Sequence, residues 1–134
     1  MNAKTYLTIS AVVAILFGLA FLLAPAAAAS VYGVPYEPHT ALNLQFFASA
    51  LVGFGAAQWF ARDFRDWEAV RGILIASIVA DALGLIVNLI GTFQGLINGM
   101  AWTTTIIYAL FIIGAIYCLT TGAETSSVAA RPAR

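Results

Sequence analysis

Four stretches of about twenty consecutive apolar residues, at 5–24, 41–61, 70–91 and 102–121, dominate this sequence. Crossing roughly 30 Å of hydrocarbon takes about 20 such residues in a helix, and in lipid only a helix or a closed barrel satisfies its own backbone. Alternation at period two is absent, which argues against a barrel. The sequence therefore predicts an all-α membrane protein, an antiparallel bundle of four transmembrane helices forming one domain over 1–121, with 122–134 a disordered cytoplasmic tail.

Composition agrees with lipid as the solvent. Of 134 residues, 62% are hydrophobic and 9% charged, against about 25% charged in soluble domains. Net charge is zero, and no basic stripe suits a nucleic acid, so none is expected as a partner. The single cysteine, Cys118, and the single histidine, His39, leave no set of ligands for zinc, haem or a cysteine cluster; neither cofactor nor metal is expected. His39 reads as a solvated loop residue and Cys118 as a small apolar one.

The connections punctuate the spans. Pro25 stops the first span, and Gly33, Pro35 and Pro38 predict an irregular link to the second. The first span resembles a signal peptide in having Lys4 and the small residues 26–30, but its apolar run exceeds the usual 7–15 residues, so it reads as a retained helix. All six basic residues, Lys4, Arg62, Arg65, Arg71, Arg131 and Arg134, fall on one side of such a topology, and none lies in 25–40 or 92–101. The positive-inside rule then places both termini and the 62–71 loop in the cytoplasm. Tyr6, Trp59, Trp67 and Tyr117 fall at the inner interface and Tyr32, Tyr36 and Trp102 at the outer, where an aromatic belt belongs.

Apart from Arg71 at the very start of the third span, only one charged residue, Asp81, lies within a span. Ser77, Asp81, Gly84, Asn88 and Gly91 recur at spacings of four, three, four and three, which makes one helical stripe. A carboxylate at mid-membrane costs about 2.5–3.5 kcal/mol on insertion scales, so it belongs in the bundle interior or at a subunit interface. Depth matching in the predicted topology brings Asn43, Gln45 and Ser49 of the second span, and Thr104 and Tyr108 of the fourth, to the outer half beside Asn88. The candidate ligand or ion pocket is thus Asp81, Asn88, Ser77, Asn43, Gln45, Ser49, Tyr108 and Thr104. These groups also suit interhelical hydrogen bonding alone. Small residues at Ala14/Gly18 and at Ser49/Gly53/Ala57 form ridges for close helix contact, inside the bundle or between copies.

Residues Asn88-Leu89-Ile90-Gly91-Thr92-Phe93 look like a motif of the small four-span fluoride channels, but the first span has no arginine and no Thr-Thr-Phe-Ser-Thr segment follows. That channel role is not carried over. Across about 5–121, the short first hairpin with its Pro/Ala link, the charged inner loop and the two further apolar spans resemble small bacterial four-span proteins of the DoxX-like kind. That resemblance implies a fold and an inner membrane, and no activity. The function expected is non-catalytic: an accessory or structural subunit, homo-oligomeric or within a larger complex, or a binder of a lipid or small hydrophobic molecule. The rival is a small proton or ion transporter using Asp81. Catalysis is not expected, because Asp81 has no second titratable side chain in its span to form an acid–base pair.

Overall fold

A computed structural model describes residues 2–129, with side chains described as far as Gly122. Among the described residues the chain is helical and strand-free: α1 (Ala3–Leu23), α2 (Pro25–Val31), α3 (Pro38–Ala61), α4 (Trp67–Phe93) and α5 (Ala101–Ala129). Four of them, over Ala3–Leu23, Pro38–Ala61, Trp67–Phe93 and Ala101–Gly122, are long and apolar enough to cross a membrane. The backbone of α5 continues into the stretch expected to be a disordered tail. The rest of that tail, 130–134, lies outside the described residues.

Local chemistry sets the helix ends. Asn2 caps α1 by accepting from the Thr5 amide at 2.8 Å, and Asp66 caps α4 by accepting from Glu68 at 3.1 Å. Pro25 ends α1, because it lacks an N–H and forces Ala24 out of the helical region (φ −134°, ψ 56°). A proline is nevertheless well placed at the first position of a helix, so the link expected to be irregular contains the seven-residue α2. Helices α2 and α4 end alike. Gly33 (φ 68°) and Gly95 (φ 70°) adopt left-handed backbone; Val34 donates to the Ala29 carbonyl and Leu96 to the Gly91 carbonyl, each at 2.9 Å. Asn98 then ties the two ends together, its side chain donating to the Val31 carbonyl and its amide to the Tyr32 carbonyl, both at 2.9 Å.

The closest packing is within two pairs, α1 with α3 and α4 with α5. A Cβ placed on Gly18 would lie 2.6 Å from Val52 Cγ2, and one on Gly55 2.8 Å from Ile15 Cγ1. With Ser10 against Gln58 and Lys4 against Asp63, partner numbers fall along α3 as they rise along α1. The face of α3 turned to α1 is therefore Ala48, Val52 and Gly55. Ser49, Gly53 and Ala57 lie on an exposed face, and nothing approaches Gly53. Of the two small-residue ridges in the sequence, Gly18 thus marks a seam inside the bundle and Ser49/Gly53/Ala57 does not.

The two pairs meet mainly at the Lys4 end, where Tyr6, Leu7, Ala61, Val70, Leu74, Ala115 and Cys118 form the buried apolar cluster. At the opposite end Phe21 stacks against Phe17, Phe47 and Tyr32, with ring centroids about 6 Å apart. The remaining large apolar side chains, such as Leu16, Phe46, Phe60, Leu83, Val87 and Leu110, point outwards, as in a helix surrounded by hydrocarbon.

Candidate functional site

The polar interior begins one turn inside the apolar cluster. Ser10 Oγ donates to Gln58 Oε1 at 2.9 Å, Gln58 Nε2 donates to Ser77 Oγ at 3.0 Å, and Ser77 Oγ donates to the Ile73 carbonyl at 2.9 Å. Three helices, α1, α3 and α4, are joined by this chain. Its members are sealed from outside, with Gln58 and Ser77 0% exposed and Ser10 5%. The amide of Gln58 uses its oxygen towards one hydroxyl and its nitrogen towards the other, which suits a group that carries both roles.

Asp81 follows one turn after Ser77 on the same face of α4. Tyr6 of α1 and Tyr108 of α5 both lie close enough to feel its charge, and Tyr108 also feels Tyr32. The Tyr108 ring occupies the space that Gly84 leaves, where a Cβ would stand 2.6 Å from Tyr108 Cζ. Two buried polar atoms here have no hydrogen bond: Asp81 Oδ2 and Tyr6 Oη. The Tyr6 hydroxyl faces Ser10, Ser77 and Asp81, yet meets none of them in bonding geometry. One atom is an acceptor and the other a donor, and an unmet buried polar group costs about 1–3 kcal/mol.

The eight residues named from the sequence separate into three groups. Ser77, Asp81 and Tyr108 come together as described. Further along α4, Asn88 donates to Thr105 Oγ1 at 2.8 Å and to the Ala101 carbonyl at 3.0 Å, while Thr104 and the Tyr32 hydroxyl share a hydrogen bond of 2.7 Å. These two contacts join α4 to α5 and the α2 end to α5. On α3, Asn43 and Ser49 are exposed, Ser49 folding back on the Gln45 carbonyl, and Gln45 reaches the Leu22 carbonyl of α1 at 3.4 Å. The structure does not bring these three to Asp81. In their place stand Tyr6, Ser10 and Gln58. A sequence signal existed for two of them: Ser10 and Gln58 continue the inward stripes that carry Ala14/Gly18 and Gly55. Tyr6 had been placed only by its depth, as an interfacial aromatic.

Among the described residues no three His, Cys, Asp or Glu side chains gather where they might hold a metal ion. Compared with family models, with curated proteins and with solved structures, the chain finds no match.

Proposed function

We propose that the chain is a non-catalytic multi-pass protein of the bacterial inner membrane, an antiparallel four-helix bundle with both termini in the cytoplasm. In this reading it holds a small hydrophobic, lipid-like molecule whose polar end bonds to Asp81 and Tyr6, alone or as an accessory subunit. The observation that carries it is the pair of buried oxygens Asp81 Oδ2 and Tyr6 Oη, neither with a partner at hydrogen-bonding geometry, in one polar interior walled by apolar helices. The site sits at the level of Ser77 and Asp81, deeper than the outer-half pocket expected from depth matching. Lack of a match leaves the likeness to DoxX-like proteins as architecture only. Self-association is part of the proposal: the Ser49/Gly53/Ala57 ridge is exposed, and such ridges let helices approach closely in lipid.

A second reading has its own support. Ser10, Gln58 and Ser77 lead to Asp81, and Tyr108 and Tyr32 continue from it towards Thr104. A series of hydroxyl, amide and carboxyl groups along a bundle is what a proton relay uses. One comparison separates the two readings. Wild type and Asp81→Asn are purified in parallel in mild detergent, extracted for mass spectrometry, and reconstituted with a pH-sensitive dye inside the vesicles. A molecule retained by wild type and lost from Asp81→Asn supports binding. Proton flux in wild type that is absent in Asp81→Asn, with no retained molecule, replaces binding by transport. Neither difference would overturn a functional role for Asp81.

A further inference from the structure

An open apolar groove of about 390 Å³ runs between α1 and α3, lined by Val12, Ile15, Leu16, Ala56, Trp59 and Phe60. It lies on the outer surface of the bundle, away from Asp81, and is independent of the reading given above. Trp59 and Phe60 line it towards the Lys4 end. Directly past them stands Arg62, its guanidinium stacked 3.3 Å from the centroid of the Trp59 ring. Arg62 Nε donates to Asp63 Oδ2 at 3.3 Å, and its two terminal nitrogens make no hydrogen bond to a described residue. Asp63 is shared with Lys4 at 2.6 Å, so two cations meet one carboxylate and the end of the groove carries net positive charge.

Gly55 packs against Ile15 and Gly18 against Val52, so the end of the groove at Ile15 and Leu16 lies about level with Gly55. From Arg62 to Gly55 is seven residues, about 10 Å at the helical rise, which takes a phosphate and the first carbons of an acyl chain. A groove about 10 Å long, apolar along its length and ending at a guanidinium with two free terminal nitrogens, has the polarity of the headgroup end of a phospholipid. The terminal nitrogens present the fork that binds phosphate oxygens in pairs. We propose that this groove is a binding site for an anionic phospholipid of the leaflet at the Lys4 end. Its acyl chain lies between α1 and α3, and its phosphate on Arg62.

Trp59 reports occupancy of the groove directly. In a Trp67→Phe, Trp102→Phe protein it is the only tryptophan. Its fluorescence is followed in phosphatidylcholine vesicles containing increasing fractions of phosphatidylglycerol, or of further phosphatidylcholine, with brominated acyl chains that quench on contact. Brominated phosphatidylglycerol is expected to reach half-maximal quenching at about fivefold lower mole fraction, the preference one basic side chain gives at an anionic membrane surface. Arg62→Gln should merge the two curves. Arg71→Gln, at a cation already paired with Glu68, should leave them apart. Coincident curves for the Trp59 protein, separation that survives Arg62→Gln, or equal loss in Arg71→Gln would each overturn the site. Native mass spectrometry of the unaltered chain from mixed vesicles makes the same comparison without substitutions. There about fivefold retention of phosphatidylglycerol over phosphatidylcholine is expected, and equal retention overturns the proposal.

Discussion

Gln58 of α3 donates to Ser77 of α4 across 3.0 Å, joining the two helix pairs at a point where neither residue is exposed to solvent or lipid. Because Gln58 also accepts from Ser10, one side chain decides whether three helices share a register. Gln58→Leu strands the Ser10 hydroxyl, while Ser77 keeps its bond to the Ile73 carbonyl, and should lower stability by about 1–2 kcal/mol. The coupling between Gln58→Leu and Ser77→Ala, read from a double-mutant cycle by steric trapping or denaturation in detergent, should be about 0.6 kcal/mol and no more than about 1.7. Zero coupling would show that the bond contributes nothing.

Two glycines two residues apart on α3 should behave oppositely. A methyl on Gly55 meets Ile15 at 2.8 Å and the Ala11 carbonyl at 3.1 Å, whereas one on Gly53 meets nothing. Gly55→Ala should therefore cost about 1–3 kcal/mol through overpacking, and Gly53→Ala should leave monomer stability unchanged. If the exposed ridge mediates self-association, Gly53→Leu should reduce the oligomer fraction in nanodiscs without lowering the helix content. A thermal scan and native mass spectrometry of the three variants check both halves.

The spans were readable because hydrocarbon imposes length and apolarity on any crossing helix. Periodicity along α4 likewise placed Ser77 and Asp81 on one stripe. Periodicity within a helix says nothing about how neighbouring helices are rotated, and there the reading by depth parted from the structure. Asn43 and Ser49 have the depth of Asn88 but point outwards, while Gln58 turns inwards. The choice between Ala48/Val52/Gly55 and Ser49/Gly53/Ala57 differs by one position on a helix apolar almost all round, so composition could not make it. The close fit of Gly18 of α1 against α3, and of Gly55 of α3 against α1, could. The short helix α2 was hidden for a different reason: Pro25 is both a stop for one helix and a good start for the next.

Topology rests on the six basic residues and is open to a direct test. In a Cys118→Ala background, Ser30→Cys and Gly99→Cys should react with impermeant maleimide in intact cells, and Arg65→Cys should react only after lysis. Gly99 serves better than Asn98, whose side chain ties the ends of α2 and α4 together. Labelling of Arg65→Cys in intact cells, with Gly99→Cys protected, reverses the orientation.

Acid should loosen the Lys4 end. The hydrogen bond from Lys4, followed by that from Arg62, holds the Asp63 carboxyl below its ordinary value. A carboxylate whose folded pKa is depressed adds stability that is complete above the unfolded value, about 3.9, and that fades as pH falls through the lower folded value. The Lys4–Asp63 contact should thus hold from neutral pH to about 5 and weaken below about 4. Asp63 is fully exposed, so the effect is small and screened by salt. Asp63→Asn should flatten this part of the midpoint-versus-pH curve between pH 5 and 3, and an unchanged curve would remove Asp63 as its source.

Asp81 separates stability from function most sharply. Its buried Oδ2 accepts no hydrogen bond, so Asp81→Leu breaks no bond seen in the fold and removes a polar group from an apolar surrounding. Asp81→Asn keeps the shape and still places a polar group there. The expected order of thermal midpoints is Leu at or above Asn, with Asn at or above wild type, the gain being on the order of 1–3 kcal/mol at most. Were Asp81 an interhelical tie, the order would reverse, since removing one partner strands the other. Ligand retention or proton flux should meanwhile be lost in both variants. A residue whose removal stabilises the bundle and abolishes its activity is held there for what it binds, a trade of stability for activity. A fall in midpoint for Leu larger than for Asn would instead assign Asp81 a structural partner and return the site to interhelical bonding.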